Sequence, residues 1–222
     1  MTGAASDRVA PGPGIGLARI VEHDGSAAHA YLTRLALNDR PLHDLADALH
    51  QLGALHARHP GLVDQAMNGI DDPHIRPWLR TAAAAFAGER AYLIRLAAAA
   101  GPPPGTPGQA AAEAAMTAQR HAIDLLGASV RPGCALGAAV ALVLDWPAIR
   151  RPLDMAAARL DIAPAPLDLP TCSETVRMIE AIDGEAPMVR AMTFGMQQLL
   201  AQHRGLWALL DARADARRAL RG

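Results

Sequence analysis

The chain has 222 residues, 51% of them hydrophobic, and a formal net charge of −1. That is enough apolar material for one large domain, while the near-neutral charge gives no field for steering nucleic acid and 3% aromatics leave few platforms for stacking bases, so no nucleic-acid partner is expected. Lysine is absent and all 21 basic residues are arginine, which excludes a Walker phosphate loop, a pyridoxal Schiff base and a protein-kinase strand lysine.

Residues 1–24 are rich in Gly and Pro and read as an irregular arm; residues 25–222 read as one helical-bundle domain. The PGPGIG run at Pro11–Gly16 lacks the preceding strand that a phosphate loop needs. Ser26 is placed to cap a first helix, Ala27–Leu37. The stretch Leu42–Pro60 follows with an amphipathic pattern. Leu42, Leu45, Ala46, Leu49 and Leu52 share one face, and Asp44, Asp47, Gln51 and Arg58 fall on the others. A short helix, Gly61–Met67, comes next. Asp71-Asp72-Pro73 opens a long one that runs to Ala100. At Thr106, T-P-G-Q reads as a capping box that starts a helix to Ala128.

Pro132 opens an apolar helix ending at Leu144; Asp145-Trp146-Pro147 reads as a stop and recap, and a further helix carries Ile149–Leu160. At Thr171, T-C-S-E is a second capping box and opens a helix to Ile182. The last helix runs from Pro187 to Arg213 or beyond. Its Arg-rich end (Arg213, Arg217, Arg218, Arg221) suits a helix C-terminus and reads as a solvated tail, with contact to a phosphate as the alternative. No segment alternates with period two, so no sheet is expected. The fold class is all-α, a single-domain bundle of six to eight helices. The strongest apolar run, Cys134–Leu144, is too short to cross a bilayer, and the N-terminus has no secretory pattern. The cysteines, Cys134 and Cys172, form no CxxC or disulfide framework. A cytoplasmic protein without a membrane partner is expected.

The informative residues are the ionisable ones that helical spacing turns inward. His56 falls in the Leu stripe, in the last turn of its helix, where the dipole favours imidazolium. Glu89 lies with Trp78, Leu79, Ala82, Phe86, Leu93 and Leu96. His203 sits among Met196, Leu199, Leu200, Leu206 and Trp207. Burying a charge costs several kcal/mol unless it is paired, so at least two of the three should meet. Three readings follow. Glu89 accepts hydrogen bonds from one or both imidazoles, or from an Arg such as Arg90, and fixes helix register. Two imidazoles and a carboxylate bind a divalent ion. One histidine works as an acid or base in a small-molecule pocket. His43, Asp47 and His50 could form an exposed metal clip, or a solvated flank.

No catalytic motif supports a choice among these. None of the four serines lies in GxSxG, and HExxH is absent. The stretches LHARHPGLVDQA, GCALGAAVALVLDW and QQLLAQHRGLW resemble members of a bacterial family of uncharacterised all-helical proteins, from about Tyr31 onward. The resemblance implies an all-helical fold and no activity. The likeness to ferritin-like bundles is one of fold alone. Their di-iron site needs Glu-x-x-His on two helices, and this sequence has none. The leading expectation is therefore a non-catalytic interaction or small-ligand-binding protein of unknown cofactor and ligand, with self-association open. The alternative is a metal binder or metal-dependent enzyme using His56, Glu89 and His203.

Overall fold

The computed structural model describes residues 12–37, 40–182 and 186–220. Among these there are nine α-helices and no strand: α1 (Pro13–Asp24), α2 (Ala30–Leu35), α3 (Leu42–His56), α4 (Leu62–Asn68), α5 (Arg76–Ala100), α6 (Gln109–Gly127), α7 (Cys134–Arg159), α8 (Cys172–Glu180) and α9 (Ala186–Ala219), with a 3-10 turn at Ser26–Ala28. The count exceeds the expected six to eight. Their apolar faces join one core cluster that extends from Leu17 to Ala214.

Helix α1 corrects the expected arm. Pro13 stands at the helix start, where its missing N–H costs nothing, and Leu17 and Val21 are buried against α8 and α9. Gly and Pro content hid a helix whose stability comes from those contacts rather than from propensity. The part of PGPGIG at Pro11 lies outside the described residues, as does the Asn38-Asp39 part of the expected turn. The capping box at Thr171 forms, with its hydroxyl accepting from Glu174 N–H and the Glu174 carboxylate accepting from Thr171 N–H. The box at Thr106 does not: α6 starts at Gln109, whose amide accepts instead from Arg213.

The expected stop at Asp145-Trp146-Pro147 is also absent. Helix α7 continues through Pro147 and Pro152 to Arg159. A proline inside a helix costs about 3 kcal/mol. Burial on both sides of it offsets that: Trp146, Ile149, Leu153 and Ala156 are all fully enclosed. Helix α7 is the centre of the bundle, and its widest contact is with α9. The two backbones approach closely because small residues line the seam. A Cβ added to Gly137 would lie 2.0 Å from Met192 O, and one on Gly195 would lie 2.0 Å from Cys134 O. Ala138, Ala139 and Ala141 fill the rest of this part of the core.

Because the obstructing atoms at both glycines are backbone, Gly137→Ala and Gly195→Ala should each destabilise the fold by about 1–3 kcal/mol or more. In thermal melts each should lower Tm by at least several degrees, whereas Gly53→Ala, which meets nothing within 4 Å, should not lower it.

Candidate functional site

The close seam of α7 and α9 sets Asp145 opposite His203 in the middle of the core. Asp145 is 1% exposed and His203 0%. The His203 Nδ1–H donates to Asp145 Oδ2 at 2.7 Å. Asp145 also accepts from Ser26, through the backbone N–H at 2.7 Å and the hydroxyl at 2.5 Å. The indole N–H of Trp207 donates to Ser26 Oγ at 2.8 Å. Ser26 is thus a partner of Asp145 and not the expected cap, since the chain there makes a 3-10 turn. The other imidazole nitrogen of His203 faces His56: the two Nε2 atoms are 3.2 Å apart and the rings meet edge-on at 83°. The carboxylate fixes which nitrogen of His203 carries a proton, and that in turn orients His56.

His56 does not keep the imidazolium that the helix dipole would favour. Burial lowers its pKa well below the ordinary imidazole value, and the neighbouring His203 lowers it further. Desolvation outweighs the dipole because the ring is enclosed by protein, with the Trp146 ring edge-on at 5.4 Å. Beside it a cleft lined by Arg58, Leu62, Phe86, Arg90 and Asp124 leaves about 20 Å³, room for about one water.

Glu89 is inward-facing but contacts neither imidazole. Its carboxylate accepts from the Trp146 indole N–H at 2.8 Å and from Arg150 Nη1 at 2.5 Å. Trp146 therefore stands between Glu89 and His56. Burial pushes the Glu89 carboxyl up, held back by the Trp146 hydrogen bond and the Arg150 charge. Arg150 also bonds Asp154 and the Ala165 carbonyl and lies over the Tyr92 ring at 4.2 Å. The arginine expected at Glu89 is thus Arg150 and not Arg90, which pairs with Asp64 at 3.0 Å. Among the described residues no three His, Cys, Asp or Glu side chains are placed to hold a metal ion, so the His56, Glu89 and His203 centre does not assemble.

A third buried set joins α3 to the end of α9. Asp47 accepts from Arg213 Nε at 2.8 Å and Arg217 Nη1 at 2.6 Å; Arg217 Nη2 donates to Asp44 at 2.8 Å and Nη1 to Thr106 Oγ1 at 2.8 Å. Burial works to raise the Asp47 pKa, but the hydrogen bonds and charges of the two arginines outweigh it and hold the group below the ordinary range. Asp44 and Asp47 were expected on outer faces and Arg213 and Arg217 in a solvated tail; all four are buried. Of that tail Arg218 is exposed and pairs with Asp215, and Arg221 lies outside the described residues. The His43, Asp47, His50 clip does not form either: His50 Nε2 bonds the Gly101 carbonyl at 2.7 Å. Sequence reasoning missed Ser26, Asp145, Arg150, Arg213 and Arg217. The one available signal was a carboxylate, Asp145, directly after the longest apolar run.

Fold and site together define an all-helical protein whose core is tied by three sets of mutually paired polar groups. Residues 21–218 match the family of unknown function DUF6975, and the chain belongs to that family. No curated protein and no solved structure matches it.

Asp145→Asn turns an amine toward groups that donate, so it should cost about 2–3 kcal/mol and lower Tm, read by calorimetry. Asp47→Ala leaves the buried Arg213 without a carboxylate and Arg217 with Asp44 alone, and should cost about 3–5 kcal/mol in urea unfolding. The folded Asp47 pKa is depressed. Its contribution is therefore complete above the unfolded value of about 3.9 and is lost as pH falls through the folded one. Asp47→Asn should flatten that part of the acid limb of stability.

Proposed function

We propose that the protein is a non-catalytic binding protein that takes a small ligand or a protein partner at its surface, while its inner polar groups hold the helices in register. The observation that carries this reading is the closure of the interior. Asp145, His203, Glu89, Arg150, Asp47 and Arg213 are buried and bonded to one another or to neighbouring core groups. The cleft at His56 offers about 20 Å³, too little for a substrate beyond a water.

The surface offers more. A cleft of about 530 Å³ lies between the end of α4, the end of α6 and the start of α7, lined by Gln65, Asn68, Ser129, Arg131, Ala135 and Leu136 among others. That volume is in the range of small-molecule sites, about 300–1,000 Å³. Beside it is an apolar area. Val130 is 99% exposed, Leu125 58% and Phe194 44%. Leu125 and Phe194 line a groove of about 280 Å³ between α6 and α9 that has no charged residue in its wall. Exposed large apolar side chains gathered in this way mark contact surfaces, which favours self-association among the partners open to it. Both cysteines are free, one buried and one exposed. That supports a reducing compartment such as the cytoplasm. No helix among the described residues is long and apolar enough to cross a membrane.

Ligand-observed NMR against a metabolite library tests the reading. Binders should be lost in Asn68→Trp, which fills the cleft, and kept in His56→Gln; a compound converted on incubation, or bound only when His56 is present, overturns it. Sedimentation tests the apolar area. Leu125→Glu and Phe194→Glu should remove concentration-dependent association while changing stability by no more than about 0.5 kcal/mol.

A further inference from the structure

We infer that the His56–His203 pair is an acid-released latch between the end of α3 and α9: it absorbs one proton without moving and parts on taking a second. The observed geometry fixes where the protons of the pair sit. His203 Nδ1 faces the Asp145 carboxylate and must be an N–H. In the neutral pair, His203 Nε2 is then a lone pair, and the 3.2 Å contact requires that His56 Nε2 carries the hydrogen. His56 Nδ1 is left as a lone pair on a residue that lines the small cleft.

The first proton enters there. It adds to His56 Nδ1 from hydronium, which leaves as water through the cleft. The proton on His56 Nε2 then passes to the lone pair of His203 Nε2. The result is imidazolium at His203, beside its carboxylate, and neutral His56 in the other tautomer. The hydrogen bond between the rings has reversed direction, and no heavy atom has had to move. A second proton has no such place. It adds to the remaining lone pair, His56 Nε2, so that two N–H groups point at each other across 3.2 Å and two cations share one carboxylate.

The surroundings do not supply a second counter-charge. From α5, Glu89 is held by Arg150 and screened by Trp146, and Arg90 is itself a cation paired with Asp64 of α4. From α6, Asp124 faces Arg58 at 3.6 Å. From the chain after α3, Arg58 and His59 add positive charge or none. On α7, Asp145 is already bonded by Ser26 and His203. The depressed His56 pKa agrees in direction. The unfolded chain takes its protons at the ordinary value of about 6.5, so the latch contributes fully above that pH and is lost as pH falls below it. Because the sites are coupled, the two steps belong to the pair. On release, the α3–α4 corner, with Leu62 and Val63, is free to leave Phe86, Ile123 and Leu142, and the closed cleft exposes these apolar side chains.

The test is a titration of the full chain from neutral to mildly acidic pH, with anilinonaphthalene sulfonate as the probe. The wild type should show a several-fold rise in dye emission at unchanged far-UV circular dichroism, with quenching of Trp146, which touches His56. His56→Gln keeps a donor for His203 but cannot titrate, and should show neither change. A wild type silent over this range, or a variant with the same step, overturns the latch. Imidazole ¹⁵N NMR on the wild type decides independently of any variant. His56 should be Nε2–H at neutral pH and Nδ1–H after the first proton, with His203 then doubly protonated; the opposite order overturns it.

Discussion

A carboxylate shut inside an apolar core has to be given donors, and the bundle is arranged around that demand at Asp145. The group lies midway along α7, where no water reaches it. Its donors come from two separate parts of the chain, Ser26 ahead of α2 and His203 on α9, and the serine hydroxyl is held in turn by Trp207, also on α9. Ser26 and His203 each supply hydrogen bonds to the charged acceptor, and leaving any one unmade costs the desolvation of a buried group. This narrows the position and rotation of α9 on α7 further than apolar packing by itself would.

The small residues of the seam and the polar partners depend on one another. Gly137 and Gly195 let the two backbones close until a methyl group would no longer fit. At that distance the short side chain of Asp145 spans to the imidazole ring at 2.7 Å. Wider spacing would separate the acid from the base. The same logic applies at the ends of the bundle. Arg213 and Arg217 bring the last turns of α9 down onto α3, and Arg150 fastens α7 to α5 and to the linker carbonyl at Ala165. A lysine-free chain suits this work, because a guanidinium can bond several acceptors in one plane, as Arg217 does with Asp44, Asp47 and Thr106.

Function then has to be sought at two places of different character. The interior holds a proton-accepting pair that is closed to everything larger than water. The exterior near the start of α7 holds an open cleft beside exposed apolar side chains. Family membership gives no activity to attach to either.

Much was legible in the order of residues. Ala and Leu in runs of helical spacing, the Thr171–Glu174 box and the absence of alternation determined an all-helical protein. The same spacing determined that His56, Glu89 and His203 turn inward, because a helical face depends only on neighbours three or four positions away. The missing lysines determined which chemistries are closed to it. What tertiary structure alone decided was the partner of each inward group: Asp145 for His203 across 58 positions, Arg150 for Glu89 across 61, Arg213 for Asp47 across 166. It also decided that α1 forms in a Gly- and Pro-rich stretch and that α7 passes through two prolines. Periodicity reports a direction from one helix axis. Whether two such directions converge depends on the distance, offset and rotation between axes, and these are set by close packing between segments far apart in the chain.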